Sequence, residues 1–320
     1  MSERYCIVLN PKARNGNRGD LQAIVTQAFA GKDVTITVPE SLAAARETIR
    51  AAVAAGVSHV VLAGGDGTVN GALDLVADTH VRLGLIPCGT ANDLAQQLGI
   101  PTDPLAACQV ILRGERRHLD LIAVNDRFYV TGGALGTATG IAAGVNRWKA
   151  RPGWRKSFVR MLGSYAYLAY SGLYLMTTRR LWLKVRIDGG KGPQGEAKTL
   201  VLLVNNQDII GKTFKAAPYA RSDDGHLDVC LIEWQSRWRG IYLVGLLAMG
   251  GRHVEKHGVR IWRDQALTIS ADEPIAFMGD GEPFAEAKSL AIRVQPQALQ
   301  MMVPPDLRRT RHLTAPLHWQ

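Results

Sequence analysis

The chain is poor in cysteine and lacks the short motifs of several common enzyme classes. Its four cysteines (Cys6, Cys88, Cys108, Cys230) lie far apart in 320 residues and form no CxxC pair. This spacing argues against a disulfide scaffold or a zinc site and favours reduced thiols in a cytoplasmic protein. The eight histidines show no HxH or HExxH spacing, and GxSxG is absent. A histidine-bound metal and a serine-hydrolase elbow are therefore not expected.

Long apolar runs are also missing. The nearest cases cover residues 161–176 and 241–250, and both are shorter than the roughly 20 residues of a membrane-spanning helix. The first residues contain no apolar signal core. We therefore expect a cytoplasmic protein that associates with membranes only peripherally.

Acidic residues are missing from the middle of the chain. Eleven basic residues and no acidic one lie between Asp126 and Asp188. Residues 1–123 hold 11 basic and 12 acidic side chains, a net charge of −1, whereas residues 124–320 hold 27 and 16, a net charge of +11. Such asymmetry indicates an anionic partner, and a basic face kept for solubility is the alternative. No nucleic-acid-binding motif is present, so we expect an acidic membrane surface and no nucleic acid.

The hydrophobic periodicity changes near residue 116. Before it, strand-like segments such as 59–63 and 82–86 alternate with helix-like segments such as 68–77, a pattern typical of a parallel sheet with helices on both faces. After it, short strands dominate, and only 148–176 and 236–250 look helical. The predicted fold class is α/β plus β. A doubly wound parallel-sheet domain (residues 1–123) precedes a mainly antiparallel β domain (124–295), and residues 296–320 are expected to pack back on the first.

Glycine-rich loops follow three of the predicted strands of the first domain. They cover residues 10–16, 64–68 and 87–93. Glycines let backbone N–H groups approach a phosphate closely. Three side chains add hydrogen-bond donors: Thr68, Thr90 and Asn92. Such loops can simply connect the strands and helices of an α/β fold, but two of them at neighbouring strand ends indicate a phosphate-binding site.

These loops carry a family resemblance. NPxxxxG at 10–16, GGDGTVN at 64–70 and PxGTANDLA at 87–95 resemble the diacylglycerol kinase catalytic domain, whose relatives include bacterial soluble lipid kinases and the sphingosine and ceramide kinases. GGDGT alone is shared with NAD kinases, whereas GTANDLA is specific to the lipid-kinase branch. Further on, DDGHLD at 223–228 and GDGE at 279–282 resemble the family's DGxLDV and DGE motifs.

The resemblance implies an ATP-dependent lipid kinase. Diacylglycerol, giving phosphatidic acid for phospholipid biosynthesis, is the default acceptor; the first domain would bind the nucleotide and the second the lipid. The positions that match nucleotide contacts are Asn10, Pro11, Lys12, Ala13, Arg14, Gly64, Gly65, Asp66, Gly67, Thr68, Val69, Asn70 and Thr90. A family threonine after the second strand is replaced by Val38, which leaves that contact open.

The resemblance also implies catalytic and metal positions. Glu282 matches the catalytic base of the DGE motif, Asp66 would organise the Mg²⁺ that accompanies ATP, and Asp120 matches a family aspartate of the same charge network. A further Mg²⁺ would be held by Asp224 and by two backbone carbonyls. Those carbonyls belong to Arg221 and His226. The alternatives are a plain Asp280-Gly281 hairpin with Glu282 solvated, and an aspartate-rich turn without metal.

Several alternatives stay open at the sequence level. They are an NAD kinase-like phosphotransferase, a kinase of a sphingoid base or of phosphatidylglycerol, and a nucleotide-binding regulator without turnover; a homodimer is also compatible with the sequence. A basic segment, 147–160, contains Trp148 and Trp154 and is predicted to dock on an anionic membrane. The tyrosines that follow, at 167, 170 and 174, would either join that interface or pack within the second domain.

Overall fold

The computed structural model describes residues 3–11, 18–150, 165–209 and 214–305. The chain forms two compact units. The first comprises Met1–Leu121 with Pro296–Gln320, and the second comprises Ile122–Gln295. The chain therefore passes from one unit to the other twice.

The first unit is a parallel sheet with helices. Its strands are β1 (Arg4–Leu9), β2 (Asp33–Thr37), β3 (His59–Gly64) and β4 (Arg82–Pro87). Its helices are α1 (Arg18–Ala28), α2 (Leu42–Ala54), α3 (Asp66–Asn70), α4 (Leu73–Val76), α5 (Asp93–Gln97) and α6 (Pro104–Arg113). The strands lie in the order β4-β3-β1-β2, with every pair parallel. β3 is buried along its whole length, as expected of an apolar strand covered on both faces. The predicted α/β architecture is confirmed.

The helix predicted over 68–77 is two short helices, α3 and α4. The carbonyl of Gly71 accepts a hydrogen bond from Arg46 Nη1 at 2.5 Å instead of from the amide of Leu75. That amide donates instead to the carbonyl of Ala72. The same guanidinium pairs with Asp74 at 2.6 Å, so a side chain of α2 fixes the break.

The second unit is mainly antiparallel. Its strands are β5 (Glu115–Val124), β6 (Arg127–Tyr129), β7 (Gly132–Gly136), β8 (Leu183–Asp188), β9 (Gly195–Asn205), β10 (Leu227–Glu233), β11 (Val259–Asp264), β12 (Ala266–Ile275), β13 (Phe277–Gly279), β14 (Glu282–Pro283) and β15 (Ala287–Val303). β5 begins and β15 ends in the first unit, where β15 pairs with β4. Along β9, Leu202 and Val204 join one hydrophobic cluster, while Val201 and Leu203 join another. This alternation places a core on each face of the sheet, and the predicted β-rich second half is confirmed.

Among the residues that the structure describes, the second unit contains three helices: α7 (Thr137–Ala150), α8 (Tyr165–Thr177) and α9 (Arg237–Ala248). The prediction of helix over 148–176 missed most of α7, because Gly140 and Gly144 lower helix propensity. Both glycines receive tyrosine rings of α8. A Cβ atom at Gly140 would lie 2.2 Å from the Tyr174 hydroxyl, and one at Gly144 2.2 Å from Tyr170. Tertiary packing thus outweighs propensity.

This packing bears on two of the three tyrosines, since the side chain at position 167 lies outside the described ones. Tyr170 and Tyr174 pack against α7 within the second unit. They therefore do not form a membrane-facing stripe, which was the first of the two predictions. Trp148 packs edge-on against Tyr170, with the ring centroids 4.8 Å apart. Residues 151–160 of the basic segment lie outside the described residues. In the described part of the chain, no helix is long and apolar enough to cross a membrane.

Candidate active site

Two glycine loops of the first unit lie in direct contact. Gly65 follows β3 and Gly89 follows β4. A Cβ atom at Gly89 would lie 2.6 Å from the Gly65 Cα, and one at Gly65 would lie 2.9 Å from the Gly89 Cα. Real Cβ atoms do not come this close to backbone, so both positions require glycine at this spacing.

Asp66 joins these loops. Its Oδ2 accepts a hydrogen bond from the Asn92 amide at 2.9 Å, and the amides of Asp93 and Leu94 also donate to the carboxylate. Burial raises the pKa of Asp66, and the backbone donors oppose that shift. The Asp66 side chain therefore has a structural role, because it holds the start of α5.

Asn92 closes the second loop. Its Oδ1 accepts from the Gly89 amide at 2.8 Å, and its Nδ2 donates to the Gly89 carbonyl at 3.0 Å. Asn92 is buried and adopts the left-handed conformation, with φ of 53°, which asparagine tolerates better than most residues. Thr90 lies exposed within the loop that Asn92 closes.

The loop after β1 is tied to the same place. Asn10 Nδ2 donates to Thr68 Oγ1 at 2.7 Å, and Thr68 is in α3. Val69 and Asn70 of α3 are buried. The structure therefore brings Asn10, Gly64–Asn70 and residues 89–92 together, with Pro11 adjoining Asn10. Lys12, Ala13 and Arg14 lie outside the described residues. Val38 is exposed just after β2.

Asp120, the third catalytic candidate of the sequence, belongs to the first unit. It is fully buried in β5. Its Oδ1 accepts from the Gln297 amide at 2.8 Å, and Gln297 has a positive φ of 54°. This bond places Asp120 against β15 and gives it a structural task there.

The DGE motif is a tight hairpin between β13 and β14. Asp280 and Gly281 form its turn with φ of 53° and 79°, the combination that a type I′ turn needs. The Asp280 carboxylate accepts from the Val130 amide, from the Thr131 amide at 2.8 Å and from Thr131 Oγ1 at 2.6 Å. The turn predicted as the structural alternative is present, and its aspartate anchors it to the segment before β7.

Glu282 is the first residue after this turn and is exposed. Partial desolvation raises its pKa, and the Asp280 carboxylate adds to the rise, whereas the Arg127 guanidinium lowers the pKa. Arg127 donates to the Pro283 carbonyl at 3.0 Å and lies 4.1 Å above the centroid of the Phe284 ring. A carboxylate with a raised pKa is a stronger proton acceptor than an ordinary one.

Comparisons with known proteins show to which family the chain is similar. Residues 4–124 match the diacylglycerol kinase catalytic domain model, and residues 137–303 match the YegS C-terminal NAD kinase beta sandwich-like domain. A Pseudomonas aeruginosa protein named "Probable lipid kinase YegS-like" is 30% identical over 308 residues, covering 94% of this chain and 95% of the relative. A Mycobacterium tuberculosis diacylglycerol kinase is 30% identical over 289 residues, covering 88% of each chain. The chain belongs to the diacylglycerol kinase family.

Comparison with solved structures shows a similarity of fold only. A solved Bacillus anthracis structure titled as a diacylglycerol kinase has a TM-score of 0.70 at 19% identity, covering 95% of this chain and 98% of that one. The resemblance inferred from the motifs is thereby confirmed at the level of family and fold. Membership in this lipid-kinase family implies ATP as the phosphoryl donor.

The residues to which the family resemblance assigns a metal lie in the loop before β10. The Asp224 carboxylate pairs with Arg263 through Oδ2 and accepts from the His226 amide at 3.2 Å. The adjacent Asp228 is buried, its Oδ2 has no hydrogen-bond partner, and desolvation raises its pKa to about 7. Among the described residues, no three His, Cys, Asp or Glu side chains are grouped as metal ligands. Carboxylate and carbonyl oxygens fit Mg²⁺, and a cation here would share Asp224 with Arg263.

Sequence reasoning missed the roles of three residues around these motifs. It treated Asn92 only as a donor, gave Asp280 no role beyond the turn and did not consider Arg127. The Asp-Gly pair signals the turn, but the partners of Asp280 are about 150 residues away in sequence. No local pattern gives such a contact.

Proposed function

We propose that the protein transfers the γ-phosphate of ATP to the hydroxyl of diacylglycerol, giving phosphatidic acid in phospholipid biosynthesis. The observation that carries the nucleotide half of this proposal is the joined pair of loops, with Gly65 against Gly89 and Asp66 bonded to Asn92. Because glycine has no side chain, two glycine loops in contact let backbone N–H groups lie close to a bound phosphate. The acceptor is the default of the family and agrees with the name of the M. tuberculosis relative.

We assign nucleotide binding to Asn10, Gly64–Asn70 and Thr90, together with Pro11 and the adjacent residues 12–14. Asn10 and Thr68 are already hydrogen-bonded to each other, which fixes two polar groups before any ligand arrives. Such preorganisation matters because phosphoryl transfer depends on positioning and charge neutralisation more than on covalent chemistry.

Glu282 is the proposed general base. Its raised pKa suits the removal of a proton from a lipid hydroxyl. The anchored turn holds its backbone, because Asp280 accepts three hydrogen bonds from Val130 and Thr131. These hydrogen bonds help to keep the backbone of the turn before Glu282 in one conformation.

Mg²⁺ is the proposed metal cofactor. Bound with ATP, it would neutralise phosphate charge, and Asp66 would orient that ion through water, because the amides of α5 already occupy the carboxylate. A second ion would be held by Asp224 with the carbonyls of Arg221 and His226. Burial raises the pKa of Asp228 to about 7, so this side chain is only partly ionised near neutral pH, and a cation beside Asp224 would favour its charged form.

The proposed partner is an anionic membrane surface, to which the protein binds peripherally from the cytoplasm. The excess of basic residues after residue 124 supports this assignment. A charge-reversed basic segment, with Arg151, Arg155 and Lys156 changed to Glu, should bind anionic vesicles less than wild type. Equal binding would remove that segment from the proposal.

The test of the activity is a labelled-ATP assay against detergent-dispersed diacylglycerol, sphingosine, ceramide and phosphatidylglycerol, with NAD as a soluble acceptor. We expect labelled phosphatidic acid as the main product and no labelled NADP. Preferential labelling of another lipid would replace the acceptor, and labelled NADP would support the NAD kinase-like alternative. No phosphorylation by a protein that binds ATP would favour a regulator without turnover.

A further inference from the structure

Helix α9 has a buried face and an apolar exposed face. Gly240, Leu243 and Leu247 are buried, and Leu243 and Leu247 belong to a hydrophobic cluster of the second unit. On the other side, Trp238 is 70% exposed, Tyr242 46% and Met249 60%. Spacings of four and seven residues place these three side chains on one stripe of the helix. A solvated helix face of an ordinary soluble protein carries polar residues at such positions.

The neighbouring helix α8 has a similar stripe. Leu173 is 46% exposed and Met176 48%, three positions apart. The Arg237 side chain donates to the backbone carbonyls of Leu175 and Thr178, and so ties the end of α8 to the start of α9. The two apolar stripes therefore belong to helices that are joined to each other.

The helices that carry these stripes have charged residues of one sign only. Helices α7, α8 and α9 contain no acidic residue, and none occurs in the whole segment 234–254. Arg179 and Arg252 are exposed just after α8 and α9, and the Arg239 guanidinium lies 5.2 Å from the centroid of the Tyr242 ring. A second copy of the chain would bring two cationic faces together and is disfavoured.

We propose that Leu173, Met176, Trp238, Tyr242 and Met249, here called the α8–α9 surface, insert among the head groups of an anionic phospholipid membrane. Tryptophan and tyrosine favour the membrane interface, and arginine side chains reach from apolar surface to phosphate. The inference deepens the proposed function, on which it rests for its biological purpose. It concerns a surface separate in sequence from the basic segment 147–160.

The direct test is a fluorescent label within the surface. Gly245 lies between Tyr242 and Met249 on the same stripe, and a Cβ atom there would meet nothing within 4 Å. The four native cysteines are buried, so Gly245→Cys can be labelled selectively with an environment-sensitive dye. Vesicles with 30 mol% phosphatidylglycerol should shift its emission to the blue, whereas dye on Leu105→Cys, an exposed position of α6, should not respond.

A matched pair of variants tests the contribution of the side chains. We expect Trp238→Ser combined with Tyr242→Ser and Met249→Ser to lower vesicle affinity about ten-fold or more, because the lost apolar area no longer leaves water. Leu105→Ser should bind as wild type. Unchanged binding of the triple variant, or equal response of both labels, overturns the proposal. So does a blue shift without vesicles that grows with protein concentration, which would indicate a second copy instead.

The proposed activity and the proposed membrane surface can be refuted independently of each other. Vesicle binding is measured without ATP, so it does not depend on turnover. Turnover is measured on detergent-dispersed lipid, where the triple variant should match wild type. Loss of activity on every lipid would remove the proposed function and leave the vesicle result standing.

Discussion

The contact between Gly65 and Gly89 allows a quantitative prediction. In Gly89→Ala, the new methyl group would lie 2.6 Å from the Gly65 Cα and 2.6 Å from Asn92 Oδ1. An ordinary contact needs at least 3.4 Å, so about 0.8 Å of separation must come from backbone, because Gly65 has no side chain that could rotate away. Overpacking of this kind costs about 1–3 kcal/mol.

The same methyl group displaces the acceptor of the Gly89 amide, and the loss of that hydrogen bond adds about 1 kcal/mol. We therefore expect Gly89→Ala to lower the thermal midpoint by several degrees and to weaken ATP binding by calorimetry at least ten-fold. Gly245→Ala is the matched control. It lies in a helix with open space around its Cβ, so its free energy of unfolding should rise by up to about 1 kcal/mol. Wild-type ATP affinity and stability in Gly89→Ala would refute the close loop contact.

Other substitutions test the remaining assignments. Glu282→Gln should lower kcat by about 10²-fold with ATP affinity unchanged; a loss of ATP binding with normal kcat would contradict a base. Because Glu282 must be ionised to accept a proton, kcat should fall as the pH drops through its raised pKa, and Arg127→Gln should move this limb to higher pH; an unmoved limb would show that another group sets it. Asp66→Ala should reduce turnover. It should also lower the free energy of unfolding by about 2–4 kcal/mol, because it leaves the amides at the start of α5 without an acceptor; a wild-type melting temperature would contradict the role of Asp66 in joining the loops. Asp224→Asn should weaken activation in a Mg²⁺ titration, and an unchanged titration would remove that residue as a ligand.

Local sequence patterns were sufficient for much of the first unit. An apolar run such as β3 reads as a buried strand because a parallel strand is covered on both faces. Glycine after such a strand marks a loop that approaches a ligand or another backbone. The position of the glycine loops was therefore predictable. Their mutual contact was only suggested by their neighbouring strands.

The remaining features depend on residues distant in sequence. The break after α3 requires Arg46, which lies 25 residues before the carbonyl that it binds. The setting of Asp120 requires Gln297, 177 residues later. Most of α7 was missed for the same reason, since its glycines look unfavourable until the tyrosines of α8 are placed on them. Propensity describes one segment at a time and contains no information about these partners.

The pairing of Gly140 with Tyr174 and of Gly144 with Tyr170 also sets the register of two helices. Both pairs are spaced by four residues and run in opposite directions. A slip of one turn, about 5.4 Å, would keep one ring on a glycine. The other ring would move either onto Trp148 or past the start of α7 at Thr137. Helix α8 thus packs on α7 in one register, and that register fixes the direction in which Leu173 and Met176 point. A larger side chain at Gly140 or Gly144 would displace α8. It would thereby alter the exposed surface at Leu173 and Met176, which it does not itself contact.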